Sequence, residues 1–162
     1  MTVTSLVEPV SKILNWDAAR AWRGQQRGKV VFTNGVFDLV HPGHVDVLLA
    51  ARRAGDALVV GLNTDESVRR LKGVGRPIRP LADRAYVLAA FAMVDAVVAF
   101  EQDTPLQLVQ SLRPDVLVKG GDYDETTIVG AAEVRSWDGQ VVVVPLTPGQ
   151  STTRIVQQLR GT

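Results

Sequence analysis

The sequence predicts a doubly wound α/β fold, in which a five-stranded parallel sheet carries helices on both of its faces. Its apolar runs are continuous, as at 30–32 and 57–60, and do not alternate with polar residues. Strands that are buried on both faces have this composition. The runs alternate along the chain with helical patterns, which is typical of βαβ units, and polar side chains follow several of them, where parallel sheets bind ligands. These three observations favour a Rossmann-like architecture.

The apolar runs predict five strands, which we place at 29–34, 57–62, 96–100, 116–118 and 141–144. Helical periodicity with start and stop signals predicts helices over 15–24, 42–54, 83–91, 105–112 and 129–135, and others that begin near 64 and 152. The first dozen residues show neither pattern, and we expect a loose arm there. Residues 69–80 combine glycine, proline and cations, and we expect them to form a mobile basic loop.

The chain of 162 residues is within the usual size of one domain. We divide it into an N-terminal arm and helix over 1–27 and a main domain over 28–162. The net charge is +1 and no run of Lys or Arg suggests a track for a polyanion, so nucleic acid is not an expected partner. Cysteine is absent, which excludes disulfides and thiol catalysis. Without a signal-peptide pattern or a long apolar stretch, the sequence predicts a cytoplasmic protein with no membrane partner.

Both histidines of the chain, His41 and His44, lie in one turn between the first predicted strand and the next helix. Pro42 suits the first helical position, so the two imidazoles are expected on one face of a helix N-terminus. Unpaired N–H groups and the positive end of the helix dipole favour anions there, and Gly43 lets a phosphate approach the backbone. A capping or surface role is the alternative. Because the turn holds the whole histidine complement, a nucleotide phosphate site is favoured.

Six further strings follow predicted strand ends or precede helices. They are residues 32–38, 70–73, 76–78, 118–123, 128–130 and 151–153. Together with the HxGH motif at 41–44, and in this order, they resemble the HxGH nucleotidyltransferase superfamily and, within it, the D-glycero-β-D-manno-heptose 1-phosphate adenylyltransferases. The likeness covers about residues 28–160, and the combination is more specific than any single string.

The resemblance implies that residues 28–162 form a nucleotidyltransferase domain, which makes an ADP-sugar and pyrophosphate from ATP and a sugar 1-phosphate. Such an in-line displacement at the α-phosphorus requires charge neutralisation and fixed geometry, but no covalent nucleophile. Triphosphate chemistry also implies Mg²⁺, held by phosphates and water. Similar enzymes are commonly dimers, which implies a homodimer, and the product would be a lipopolysaccharide precursor. The heptose enzyme is often fused to a sugar kinase, for which this chain has no room, so a separate kinase is expected.

By the resemblance, His41, His44 and Lys72 are the catalytic residues. The imidazoles would hold phosphate oxygens and stabilise charge at the α-phosphate, while Lys72 would be a mobile cation that closes over the triphosphate. The nucleotide-binding positions implied in the same way are Asn34, Gly35, Val36, Phe37, Asp38, Gly43, Arg76, Arg84, Lys119, Gly120, Gly121, Asp122, Ser151, Thr152 and Thr153. Asn63 and Asp65 are lesser candidates, and no direct metal ligand is predicted.

Plainer roles remain open for most of these residues. Lys72 fits an ordinary solvated loop, and Ser151 fits an N-cap without any ligand. Asp38 suits a turn or cap as well as it suits orienting a histidine or a metal-bound water. Arg84 is as compatible with an exposed or ion-paired position as with a phosphate contact. Residues 119–122 would let backbone groups read an adenine edge, but a tight turn has the same composition.

Two departures from the similar families bear on the acceptor. Val36 stands where the heptose branch often has Cys and cytidylyltransferases have Thr, so any side-chain contact at that position is lost. Leu146 stands where glycerol-phosphate cytidylyltransferases have an arginine, which argues against that activity. That enzyme is still the nearest rival, and a non-catalytic nucleotide sensor is a further alternative. A nicotinamide-dependent oxidoreductase is disfavoured, because the turn at 34–37 lacks the required glycine-rich pattern.

Overall fold

The computed structural model describes residues 6–145 and 147–160. Within them, six strands form one parallel sheet, and β1 to β6 are Ile13–Leu14, Val30–Gly35, Ala57–Asn63, Ala96–Phe100, Val116–Gly120 and Gln140–Val144. The α-helices of the same residues, α1 to α7, are Trp16–Gln25, Pro42–Arg53, Asp65–Lys72, Leu81–Ala90, Leu106–Leu112, Ala131–Ser136 and Thr152–Arg160. A 3-10 helix over Pro9–Lys12 precedes β1. The predicted α/β class with a parallel sheet is confirmed.

The sheet has six strands and not the predicted five, because β1 joins its edge. The two residues of β1 pair with Val97 and Val98 of β4. A strand this short shows no period in the sequence, so it escaped prediction. The expected loose arm is also wrong here, since Lys12 Nζ donates hydrogen bonds to the carbonyl oxygens of Phe91 and Val94, at 3.3 and 2.8 Å. The first five residues of that arm lie outside the described part.

Helices enclose the sheet on both sides, and successive side chains of a strand enter opposite cores. Val30 and Phe32 of β2 pack with α1, α5 and α6 on one side, which we call the α5–α6 face. Val31 packs with α2 and α4 on the other side, the α2–α4 face. All three side chains are fully buried, and burial of each contributes roughly 1.5–3 kcal/mol. Burial on both faces explains the continuous apolar runs of the sequence.

The strand order places a crevice above β2 and β5. From edge to edge the order is β1-β4-β3-β2-β5-β6, so the chain leaves β2 toward β3 and β4 on one side and later builds β5 and β6 on the other. The loops that follow β2 and β5 therefore diverge at the carboxyl ends of two adjacent strands. Sheets of this kind bind their ligands at such a point.

Capping side chains start two of the helices as the sequence suggests. Asn15 Oδ1 accepts a hydrogen bond from the N–H of Ala18 at 2.8 Å, and Thr64 Oγ1 accepts one from the N–H of Ser67 at 3.3 Å. The predicted basic loop is shorter than expected, because the helix-favouring residues 69–72 form the last turn of α3. None of the described helices is long and apolar enough to cross a membrane.

Candidate active site

A cleft of about 660 Å³ opens at the carboxyl ends of β2 and β5. Small-molecule sites usually have volumes of roughly 300–1,000 Å³. The residues singled out by the sequence that line this cleft are Asn34, Gly35, Val36, Phe37, Asp38, His41, Gly43, His44, Asn63, Lys72, Arg76, Lys119, Gly120, Ser151, Thr152 and Thr153. Four others lie outside its walls, namely Asp65, Arg84, Gly121 and Asp122.

His41 and His44 stack on each other at the N-terminus of α2. Their ring centroids are 3.9 Å apart, and His44 Nδ1 accepts a hydrogen bond from the backbone N–H of His41 at 3.3 Å. A nitrogen that accepts carries no proton, so the neutral His44 ring bears its hydrogen on Nε2. His41 Nδ1 is buried and has no hydrogen-bond partner among the described residues. The pair therefore keeps polar ring nitrogens that a ligand can engage.

Burial keeps both imidazoles neutral. It lowers the pKa of His44 to about 4, with a further contribution from the neighbouring His41, and it also lowers the pKa of His41. At neutral pH the pair thus offers N–H donors and no fixed positive charge. A bound phosphate would favour the protonated forms, because an anion stabilises a charged imidazole.

Phe37 supports His44 from a strained backbone. Its φ is 46°, a left-handed conformation that bulky residues rarely adopt and that costs roughly 1–3 kcal/mol. The ring belongs to the core of the α2–α4 face, and its centroid lies 5.0 Å from that of His44. Gly35 leaves room for it, since a Cβ there would lie 3.0 Å from the Phe37 ring. The packed ring limits where His44 can move.

Asp38 holds the segment that leads into α4. Its buried carboxylate accepts hydrogen bonds from Arg76 Nε at 2.6 Å and from the backbone N–H groups of Ile78 and Arg79 at 2.8 and 2.9 Å. Burial alone raises the pKa of this carboxyl, but the two N–H groups and the guanidinium outweigh burial, and the pKa is lowered. The expectation of a freely mobile loop is therefore wrong for residues 76–79, which are attached to the turn after β2.

The structure places Arg84 in a buried position, whereas the resemblance implied a phosphate contact. Its side chain has no exposed surface. Nη1 donates hydrogen bonds to the carbonyl oxygens of Val36 and Asn63, at 2.7 and 2.9 Å. Nε donates to the carbonyl oxygen of Arg79 at 2.9 Å, and Nη2 pairs with Asp65 at 2.7 Å. All three guanidinium nitrogens are engaged by the protein, and they join the ends of β2 and β3 to the segment before α4.

Two lysines reach the cleft from different elements. Lys72 ends α3 and Lys119 lies near the end of β5, and both line the cleft. Burial lowers the pKa of Lys119, and the positive charge of Lys72 lowers it further. Neither lysine has an ion-pair partner within the described chain. An anion in the cleft would relieve the repulsion between the two ammonium groups.

The turn after β5 depends on a close approach of its backbone to α2. At Gly120 a Cβ would lie only 2.5 Å from Cγ2 of Val47 in α2, so a larger residue would have to displace that side chain. Gly121 has a φ of 137°, which favours glycine. Of residues 119–122, Lys119 and Gly120 line the cleft, while the other two complete the turn.

The start of α7 faces the same cleft as the start of α2. Residues 151–153 line it, and Ser151 Oγ accepts a hydrogen bond from the N–H of Arg154 at 3.1 Å, as an N-cap does. Thr147 Oγ1 donates to Asp46 Oδ2 of α2 at 2.7 Å, which ties the two helix starts together. Unpaired N–H groups and the positive ends of two helix dipoles therefore border one space.

The sequence singles out only part of one wall of the cleft. That wall contains residues from after β4, from after β5 and from before α6, namely Asp103, Thr104, Pro105, Tyr123, Thr127, Ile128 and Val129. Tyr123, Ile128 and Val129 belong to the motif strings 118–123 and 128–130, whereas the other four were missed. Three of the missed residues, 103–105, follow a strand end, a signal that could have found them. Leu146, which argues against a glycerol-phosphate cytidylyltransferase, lies outside the described residues.

Comparison with known proteins gives a family for this chain. Residues 32–158 match the family described as Cytidylyltransferase-like, and the chain belongs to that family. It is 60% identical over 146 residues to the Bifunctional protein HldE of Acidiphilium cryptum, which covers 90% of this chain and 30% of that protein. It is 56% identical over 156 residues to the Bifunctional protein HldE of Magnetococcus marinus, with coverage of 94% and 32%. The chain thus spans about a third of the length of these curated relatives.

A solved structure agrees with this placement. The lipopolysaccharide core biosynthesis protein from Thermoplasma volcanium GSS1 superimposes with a TM-score of 0.61 at 26% sequence identity, covering 74% of this chain and 97% of that one. These comparisons confirm the resemblance drawn from the motifs.

Proposed function

We propose that this chain is an adenylyltransferase, which joins ATP and a sugar 1-phosphate into an ADP-sugar with release of pyrophosphate. The single observation that carries the proposal is the cleft in which a stacked histidine pair, two helix N-termini and two lysines face one space. The acceptor we propose is D-glycero-β-D-manno-heptose 1-phosphate. The motif resemblance supports it, as does similarity to proteins named HldE and to a lipopolysaccharide core biosynthesis protein.

In the proposed reaction, an oxygen of the acceptor phosphate attacks the α-phosphorus of ATP. The bond from that phosphorus to the oxygen bridging to the β-phosphate breaks, and pyrophosphate leaves with the electron pair. His44 Nε2–H donates to an α-phosphate oxygen as charge develops there, a role in which one preorganised donor typically contributes about 10²–10³ in rate. His41 binds a phosphate oxygen beside it.

The triphosphate lies across the two helix N-termini in this proposal. Backbone N–H groups at Gly43 and at residues 151–153 hold its terminal phosphates. Lys72 and Arg76 supply positive charge. Of the Arg76 guanidinium, only Nε donates a hydrogen bond to Asp38. Both terminal nitrogens have no partner among the described residues.

The nucleoside is bordered by backbone. Residues 34–37 contribute the turn after β2, and Gly120 contributes the start of the turn after β5, where the missing side chain lets the adenine edge approach. Asp38 and Arg84 are positioning residues, because they fix these turns and the segment before α4 without facing the nucleotide.

We assign Mg²⁺ no protein ligand. Within residues 6–145 and 147–160, no three His, Cys, Asp or Glu side chains are grouped as a metal-binding set, so we propose that phosphates and water hold the ion. The ion would arrive bound to the triphosphate and neutralise part of its charge.

The wider assembly is also a proposal. Residues 28–162 would carry the reaction, residues 1–27 would support the sheet edge, and two copies would form a homodimer. A kinase in a separate chain would supply the sugar 1-phosphate. The relatives are named bifunctional and match this chain over about a third of their length.

A pyrophosphate-release panel tests the proposed function. It crosses ATP and CTP with D-glycero-β-D-manno-heptose 1-phosphate, glycerol 3-phosphate and phosphopantetheine. We expect ATP with the heptose phosphate to be the fastest pair, and His44→Ala to lower its turnover by at least about a hundredfold. CTP with glycerol 3-phosphate as the fastest pair would favour the rival cytidylyltransferase. ATP binding without release from any pair would favour a nucleotide sensor.

A further inference from the structure

The cleft extends over both faces of the sheet. Side chains alternate along a strand, so a residue two positions beyond a core residue points to the same face. Leu117 packs in the core of the α5–α6 face, which places Lys119 on that face. His44 contacts Phe37, which packs in the core of the α2–α4 face. Lys119 and the histidine pair therefore lie in opposite halves of one cleft.

The half on the α5–α6 face, here called the α5–α6 half, differs in chemistry from the half with the histidines. Residues 103–105 and 127–129 form its walls, and these supply three apolar side chains and two threonine hydroxyls, of which that of Thr127 donates to the carbonyl oxygen of Asp124 at 2.8 Å. Its carboxylate, Asp103, is already paired with Arg70 at 2.8 Å. Lys119 is thus a cation on this side with no ion-pair partner in the described chain. Such a pocket suits a hydroxylated molecule with one anionic group.

The geometry of the reaction requires a second site on this side. In an in-line displacement, the attacking oxygen and the leaving group lie on opposite sides of the reacting phosphorus. With pyrophosphate at the N-termini of α2 and α7, the acceptor approaches from the other half of the cleft. We propose that the α5–α6 half is the sugar 1-phosphate pocket, and that the ammonium of Lys119 binds the acceptor's phosphate. This inference rests on the proposed function.

Neighbouring groups fit this assignment. The ring of Tyr123 is half exposed and lies 5.7 Å from Lys119 Nζ, so it offers an apolar surface to the C–H groups of a sugar beside its phosphate. Thr104 has an exposed hydroxyl on the same wall, which suits a sugar hydroxyl. A phosphate between Lys119 and Lys72 would also relieve the repulsion of their charges. The assignment gives Lys119 a side-chain role toward the acceptor, in place of a backbone role toward adenine.

Two substitutions test the pocket separately from the nucleotide site. Lys119→Met keeps an unbranched side chain that is one atom shorter and removes its charge, and Thr104→Trp fills the pocket from an exposed position. Binding of the ATP analogue with a non-hydrolysable α–β bridge is measured by calorimetry, and so is binding of the sugar 1-phosphate to the analogue-loaded protein. Turnover kinetics give KM for each substrate. Lys29→Met removes a lysine outside the cleft and is the matched control.

For Lys119→Met we expect the KM and the Kd of the sugar 1-phosphate to rise about tenfold or more, which is the loss typical of one charge-assisted contact. The Kd of the ATP analogue should stay within about twofold of its value for the unmodified protein. Lys119→Arg should restore part of the loss, and Thr104→Trp should block the acceptor alone. An equal loss for both substrates, or no loss for the acceptor, would overturn the assignment. If the unmodified chain binds the analogue but turns over no sugar phosphate, it is the proposed function that fails.

Discussion

The two histidines have neutral rings at neutral pH, because burial lowers the pKa of both imidazoles. His44 offers a donor at Nε2 because its Nδ1 is occupied by a backbone N–H. Positive charge comes from Lys72, Lys119 and Arg76, which reach the cleft from other elements. In the proposed mechanism, the imidazoles orient phosphate oxygens, while the longer cationic side chains neutralise their charge.

The lowered pKa of His44 predicts how stability depends on pH. This pKa is about 4 in the folded protein, against an ordinary value of 6.5. Between these values the unfolded chain binds more protons than the folded one, so the free energy of unfolding falls as pH is lowered. We expect the free energy of unfolding of His44→Asn to fall less than that of the unmodified protein between about pH 7 and pH 5. Asp38 does not contribute in this range, because the pKa of its carboxyl is lowered. Urea denaturation at the two pH values measures the fall for each protein.

His41 shifts in the same direction, so the variant should keep part of the pH dependence. An equal loss of stability in the variant and the unmodified protein would show that His44 is not held neutral by burial.

Single residues differ in how far sequence predicts them. His41, His44 and Ser151 could be placed at helix starts, because capping and phosphate binding leave local signals. The left-handed conformation of Phe37 could not be predicted, because a bulky residue disfavours it and only packing of the side chain in the core stabilises it. The burial of Arg84 depends on partners such as Val36, 48 positions away in the chain, which no local pattern reveals.

At the scale of elements, the segment that leads into α4 is positioned by two buried charged groups. Asp38 approaches from the turn after β2, and Arg84 approaches from α4 itself. Both groups bond the backbone of Arg79, one at its N–H and the other at its carbonyl oxygen. This double attachment keeps Arg76 beside the cleft.

Asp38→Asn should therefore weaken nucleotide binding. The amide keeps the size of the side chain but loses the charge that holds Arg76 and the two backbone N–H groups. We expect the KM for ATP to rise by about 10–100-fold, the range for hydrogen bonds to a charged group, measured by pyrophosphate release. Asp83→Asn is the control, because that carboxylate pairs with Arg79 at the surface, where such pairs contribute about 0–1 kcal/mol. Similar KM values for the two variants would contradict a positioning role for Asp38.

Elements with a continuous apolar run or a clear helix-start signal were predicted well. The strand predicted at 96–100 matches β4, and α2 begins at Pro42 as its helix-start signal indicates. β1 was missed because its two residues adopt a strand conformation only through their pairing with β4. The basic loop was predicted to be too long. Residues 69–72 were grouped with the glycines and prolines that follow them, although they favour a helix and end α3.

At the scale of the whole molecule, the order of the strands creates the site. β2 and β5 are neighbours in the sheet but far apart in the chain, so the loops above them open a cleft that extends over both faces. One half gathers helix N-termini and histidines, and the other gathers hydroxyls, apolar side chains and Lys119. In the proposed reaction, two phosphorylated substrates would enter these two halves and meet above the carboxyl ends of β2 and β5.

The most direct measurement is a crystal structure of the protein with a non-hydrolysable ATP analogue and Mg²⁺. We expect the triphosphate across the N-termini of α2 and α7, with His44 Nε2 within hydrogen-bonding distance of an α-phosphate oxygen. A nucleotide bound elsewhere, with both imidazole rings facing solvent, would contradict the proposed mechanism.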